Sequence, residues 1–138
     1  MCTSDLASLL ARPGNTLLLD VREPQEYAVS HLPGAIRIPP LNTFGQTSFL
    51  PTESDVKGKT VVLYCSVGMR SSDMAQKLQD DLRRRGALNI YNLDGGIFAW
   101  HNESRVLVNN AGPTSFVHPY NAKYKQLLQH SDLVRFGP

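Results

Sequence analysis

The run Cys65-Ser66-Val67-Gly68-Met69-Arg70-Ser71 holds the residue types best able to do covalent chemistry in this chain. A cysteine reacts as its thiolate, so its surroundings decide whether it is a nucleophile or inert filler. Three features favour the anion. A helical pattern follows the run and turns its positive N-terminal end toward it. Gly68 lets the loop curl, so that successive backbone N–H groups point inward as an anion nest. Arg70 adds a full positive charge close by. Ser71 can cap the helix or offer its hydroxyl. The plainer reading is a buried, unreactive cysteine that ends a strand. It leaves the glycine, arginine and serine at these spacings without a reason.

Polar residues elsewhere in the first hundred positions read as support for this loop. Asp20 ends an apolar run and can accept hydrogen bonds from nearby backbone or from an arginine, organising the floor of the site. Arg22, Glu26 and His31 read as a polar brace rather than a catalytic set. Trp100 reads as core, and Gly95-Gly96 as a tight turn before a helix.

The elements that must position these residues follow from pattern. Thr3, Ser4 and Asp5 supply N-cap types for a helix over residues 4–11, stopped at Pro13-Gly14. Residues 16–19 are a continuous apolar run, the mark of a strand buried on both faces. Pro24 opens a short helix through residue 28. His31-Leu32-Pro33-Gly34 is a turn, and residues 35–38 form a short strand ended by Pro39 and Pro40. Residues 41–59 read as irregular, with turns at Gly45, Pro51 and Gly58. Residues 60–64 are the strongest strand and lead straight into Cys65. Residues 71–85 form the longest helix, with Met74, Leu78 and Leu82 on one face and Gly86 as its stop. Residues 89–92 are a strand, and a short helix carrying Ala99 and Trp100 follows. A last helix is expected over residues 121–129, capped by Asn121.

Strands alternating with helices predict an α/β domain: a mainly parallel central sheet with helices on both faces and a C-terminal tail. In such sheets ligands sit at the carboxyl ends of strands, where Cys65 stands. The boundaries are one domain over residues 1–103 and an extension over 104–138. The extension is too small to fold alone and either packs on the core or meets a partner.

Composition narrows the function classes. The chain has 138 residues, 41% hydrophobic and 19% charged, a globular balance. Its fourteen basic and twelve acidic residues leave a net charge of +2. The one basic cluster, Arg83–Arg85, suits a helix C-terminus better than a nucleic acid. No apolar stretch has the length of a membrane span. No signal-peptide pattern opens the sequence, so a cytoplasmic protein is expected. Cys2 and Cys65 are the two cysteines, too few for a disulfide framework. His101, His118 and His130 match no familiar metal spacing. Gly58-Lys59-Thr60 lacks the earlier glycine of a phosphate-binding loop, and there is no Gly-x-Ser-x-Gly elbow.

Four segments, in order, resemble the rhodanese-homology sulfurtransferase family. Residues 65–71 are similar to its Cys-x-x-Gly-x-Arg-Ser active loop. Leu19-Asp20-Val21-Arg22-Glu23-Pro24-Gln25-Glu26-Tyr27 resembles its first signature, and residues 31–39 resemble the stretch after it. Asn92-Leu93-Asp94-Gly95-Gly96-Ile97-Phe98-Ala99-Trp100 resembles its closing signature. The resemblance covers roughly residues 3–101. It implies that Cys65 takes the outer sulfur of a donor such as thiosulfate or a persulfide, and passes it to a thiophilic acceptor, cyanide in vitro or a protein. It assigns Ser66, Val67, Gly68, Met69, Arg70 and Ser71 to the substrate loop, with Arg70 holding an anionic donor and Asp20 and Arg22 in support. It implies no metal and no organic cofactor. Cysteine phosphatases place one residue more between cysteine and arginine, a ring that fits a tetrahedral oxyanion. Ser66 and Val67 carry no charge where some thiosulfate-using relatives carry basic residues, so the donor stays open. The reading from another class is a non-catalytic or regulatory domain, with Cys65 as a sulfur carrier or redox switch, or with the fold as a docking module. Oligomeric state is not legible.

Overall fold

The computed structural model describes residues 1–12, 14–39 and 50–137. Helices α1 (Thr3–Leu10), α2 (Pro24–Val29), α3 (Glu53–Val56), α4 (Met69–Arg84) and α5 (Gly96–Asn102) alternate with strands β1 (Thr16–Asp20), β2 (Ile36–Arg37), β3 (Thr60–Tyr64) and β4 (Asn89–Asn92). The strands make one parallel sheet in the order β2-β1-β3-β4. The expected breaks at Pro13 and Pro40 and the turn at Gly45 lie outside the described residues.

The two central strands carry continuous apolar runs, residues 17–19 and 61–63, because both their faces are covered. Leu18, Val62 and Tyr64 face one layer, with Leu6 of α1 and Ile97, Phe98 and Trp100 of α5. Leu17, Leu19, Val61 and Leu63 face the other, with Val56 of α3 and Met74, Leu78 and Leu82 of α4. Side chains alternate along a strand, so one run of sequence serves both layers. The register pairs Asp20 with Tyr64, and so sets the ends of β1 and β3 side by side just below Cys65.

A buried polar cluster fixes that junction. Arg22 is fully buried, and its Nη2–H donates to Asp20 Oδ2 at 2.8 Å and to the Ser30 carbonyl at 2.6 Å. The Tyr64 hydroxyl donates to Asp20 Oδ2 at 2.6 Å and accepts the Leu32 N–H at 3.1 Å. Burial and the neighbouring Asp20 charge push the Tyr64 hydroxyl well above its usual range, so it stays a donor. His31 is not part of this cluster. Its ring stacks on Tyr27 at 3.7 Å, and its backbone exchanges two 2.9 Å hydrogen bonds with Val108.

The extension packs on the first layer. Strands β5 (Leu107–Asn109) and β6 (Gly112–Thr114) form an antiparallel ribbon, and Leu107, Val117 and Leu128 join the core. The helix expected over 121–129 is instead a 3-10 turn, Tyr124–Leu127, with a second at Ser131–Leu133. Asn121 does cap the Tyr124 N–H at 2.8 Å. Asn102, however, takes the Leu127 carbonyl at 3.1 Å and the Gln129 N–H at 2.9 Å, groups a continuing helix would need. Helix α3 was not legible in its polar sequence; Val56 alone anchors it in the core.

Two outcomes follow from this packing. Leu78→Ala removes a fully buried side chain from α4 and should cost about 3 kcal/mol in urea unfolding; a loss below 1 kcal/mol would contradict the packing. His101 and His118 are buried, and burial holds both below the usual histidine range. The unfolded chain therefore takes up protons first as pH falls. Stability present at neutral pH should decline through roughly pH 6.5 and below. Thermal melts from neutral to mildly acidic pH should show a falling Tm, and His118→Asn should flatten the trend. A Tm that rises on acidification would refute the assignment.

Candidate active site

Cys65 leaves the carboxyl end of β3 and is almost wholly buried, at 1% exposure. The chain then curls through Gly68, whose φ of 102° is left-handed, and enters α4 at Met69. The helix thus starts two residues before the position expected from the sequence, because the Gly68 carbonyl already accepts the Ser72 N–H at 3.1 Å. The Gly68 N–H donates to Cys65 Sγ at 3.1 Å. The Ser71 hydroxyl, inside the first turn, lies 3.4 Å from Sγ and also reaches Asn92 Oδ1. A sulfur at the head of a 16-residue helix, facing a backbone donor, is in a place that favours negative charge.

Asn92, from the end of β4, holds the loop from outside. Its Nδ2 donates to the Gly68 carbonyl at 3.2 Å, while its Oδ1 accepts from Ser71. The first amides of α5 close the other side: Ile97 N–H donates to the Cys65 carbonyl at 2.9 Å and Phe98 N–H to the Ser66 carbonyl at 3.0 Å. A Cβ at Gly96 would overlap both carbonyl oxygens. The glycine pair is thus more than a turn; Gly96 lets α5 touch the backbone that carries Cys65. Sequence reasoning missed Asn92 and Gly96 as loop supports, although both stand inside the closing segment it quoted.

Glu26 is the other residue drawn into the site. It lies in α2, where Pro24 and the Glu23/Glu26 capping box start the helix. Its carboxylate is 1% exposed and takes Arg70 Nη1–H at 3.0 Å and Nη2–H at 3.1 Å. The Ser66 hydroxyl donates to the same carboxylate at 3.1 Å and accepts Arg70 Nη2–H at 2.8 Å. Burial alone would raise the Glu26 carboxyl, but the hydrogen bonds and charge of Arg70 hold it below the usual carboxylate range. Burial likewise works against the Arg70 charge, and Glu26 overrides it, so Arg70 stays cationic.

Each residue expected in the loop can now be placed. Ser66 is buried with its hydroxyl committed to Glu26 and Arg70. Met69 is 71% exposed, and Val67 is half-buried. Val67, Gly68 and Met69 border an open cleft of about 560 Å³ together with Asn92 and Asp94. Asp20 and Arg22 lie beneath the loop, in the cluster around Tyr64, and make no direct hydrogen bond to Sγ among the described residues. Both Cys2 and Cys65 are free, Cys2 exposed and Cys65 buried. No helix among the described residues is long and apolar enough to cross a membrane.

Known proteins resemble this chain in sequence and fold. A Bacillus subtilis protein named YqhL is 39% identical over 83 residues, which cover 60% of this chain and 59% of that protein. The tRNA uridine(34) hydroxylase of Photorhabdus laumondii is 32% identical over 93 residues, covering 66% of this chain but 25% of that protein. The chain spans about a quarter of the length of such hydroxylases. Among solved structures, a rhodanese-related protein of Thermoplasma volcanium matches with TM-score 0.58 and 26% identity, over 78% of this chain and 95% of that one. A thiosulfate sulfurtransferase of Pseudomonas aeruginosa shares the fold, with TM-score 0.61 and 20% identity over 79% of this chain and 20% of that one. The rhodanese-like domain model matches residues 3–103. Over the stretch that carries Cys65, its loop and its supports, the chain belongs to the rhodanese-like domain family.

Proposed function

We propose that the chain is a sulfurtransferase that carries a sulfane sulfur as a persulfide on Cys65. The observation that supports this most directly is the single sulfur atom at the head of α4 with the Gly68 N–H aimed at it from 3.1 Å. The ring from Cys65 to Arg70 holds four residues, and the Gly68 amide within it points at one atom, Cys65 Sγ.

With thiosulfate, the Cys65 thiolate attacks the outer sulfur. The new S–S bond forms as the S–S bond of the donor breaks, and sulfite leaves with the electron pair. The product is Cys65–S–S⁻, whose terminal charge the loop amides and the α4 end stabilise. An acceptor such as cyanide then attacks that terminal sulfur, and the Cys65 thiolate departs. The halves are separate, so the kinetics should be ping-pong. Residues of this chain supply every group the two steps need, and neither step requires a metal or an organic cofactor. The acceptor in the cell is a small thiol or a protein thiol, and the setting we propose is cytoplasmic.

Thiocyanate formation from thiosulfate and cyanide tests the reading. Parallel double-reciprocal lines are expected, with activity abolished in Cys65→Ser. Intersecting lines, or turnover that survives Cys65→Ser, would refute the persulfide route. Protein that gains sulfur stably without turnover would instead be a carrier awaiting its own partner.

Glu26→Gln keeps the size of the side chain but removes the charge that holds Arg70. It should destabilise the fold by about 2 kcal/mol, less than a fully buried pair because Arg70 is 30% exposed. Turnover should drop about tenfold as the loop loosens. Unchanged urea midpoints and rates would show that the pair does not organise the site.

A further inference from the structure

The extension, which lies outside the family match, sets an aromatic ring on the loop's one cation. The Tyr120 ring centroid is 4.2 Å from the Arg70 guanidinium carbon. Tyr120 has a φ of 68°, a left-handed state that a bulky side chain adopts only where its surroundings hold it. They do so here. His118 Nδ1 accepts the Tyr120 N–H at 3.0 Å, and the Pro119 carbonyl accepts the Asn121 N–H at 2.8 Å. The Tyr120 ring leans on Tyr124 at 5.1 Å, and Tyr124 meets core Phe98 edge-on at 6.5 Å.

Arg70 is therefore heavily engaged. Three of its hydrogen bonds go to Glu26 and Ser66, its charge is balanced by Glu26, and one face lies under Tyr120. The adjoining cleft offers no replacement: Asp73 and Asp94 line it, with no lysine or arginine among the described residues. The cleft is wide open to solvent, and Val67, Met69, Ser72 and Gln76 give an organic group apolar and polar contacts beside the loop.

We propose that Tyr120 is a specificity-determining residue that turns the site away from small dianions and toward donors whose sulfur rides on an organic thiol. This rests on the sulfurtransferase reading. In the favoured reaction the Cys65 thiolate attacks the outer sulfur of R–S–SH. The donor S–S bond breaks, R–S⁻ leaves with the electron pair, and Cys65–S–SH keeps the proton.

Loading of Cys65, followed by intact mass in single turnovers, separates the donors. Thiosulfate and cysteamine persulfide are compared on wild type, Tyr120→Ala and Tyr120→Phe. Tyr120→Ala should raise loading efficiency from thiosulfate about fivefold, by lowering the half-saturating concentration, and change persulfide loading by less than about twofold. Tyr120→Phe keeps the ring and should match wild type. Equal shifts for both donors, or no shift with thiosulfate, would overturn the proposal. If no donor loads the wild-type protein, the sulfurtransferase reading fails by itself. Protection of Cys65 from iodoacetamide by sulfate then still reads the ring. Stronger protection in Tyr120→Ala would support screening of Arg70, and equal protection would refute it.

Discussion

Glu26 is ionised in a place where water cannot solvate it, and a carboxylate there needs a cation and further donors. Both come from the Cys65 loop: Arg70 supplies two hydrogen bonds and Ser66 a third, while the Glu23 N–H completes the set from its own helix. This arrangement joins α2 to the first turn of α4. It also determines what Arg70 is free to do. The guanidinium first holds the loop in shape, and only what remains of its donors can meet a ligand. Cys65 Sγ thus faces the Gly68 amide and the head of α4, with the side-chain cation in a bracing position.

The same economy appears above and below the loop. Below, Asp20, Arg22 and Tyr64 form a hydrogen-bonded polar junction at the ends of β1 and β3, which fixes where β3 stops and Cys65 begins. Above, the amides of α5 take the carbonyls of Cys65 and Ser66, an approach possible because Gly96 lacks a Cβ. Three separate parts of the chain therefore converge on seven consecutive residues. The extension adds a fourth through Tyr120, and does so in a strained backbone state.

Much of this was legible in residue pattern. The apolar runs of β1 and β3, the Met74–Leu78–Leu82 face and the loop glycine each have a local signature. The Glu26–Arg70 pair had none, because two charges 44 positions apart carry no mark of their meeting. Glu26 read as part of a brace with Arg22 and His31, yet His31 turned to Tyr27 and to β5 instead. The final helix failed for a similar reason. Its periodicity was real, but Asn102, a distant side chain, captured the backbone groups the helix required. Helix α3 and the β5–β6 ribbon are short and gain their stability from contacts rather than from propensity.

In the proposed route one sulfur atom, Cys65 Sγ, receives another. Peptide-mapped mass spectrometry of the protein after exposure to a sulfane donor tests it most directly, with exposed Cys2 as the internal control. A gain of one sulfur is expected on the peptide bearing Cys65, none on that bearing Cys2, and its loss on adding cyanide. Sulfur on Cys2 alone, or spread over both cysteines alike, would show that the loop confers no special reactivity and would rule out that route.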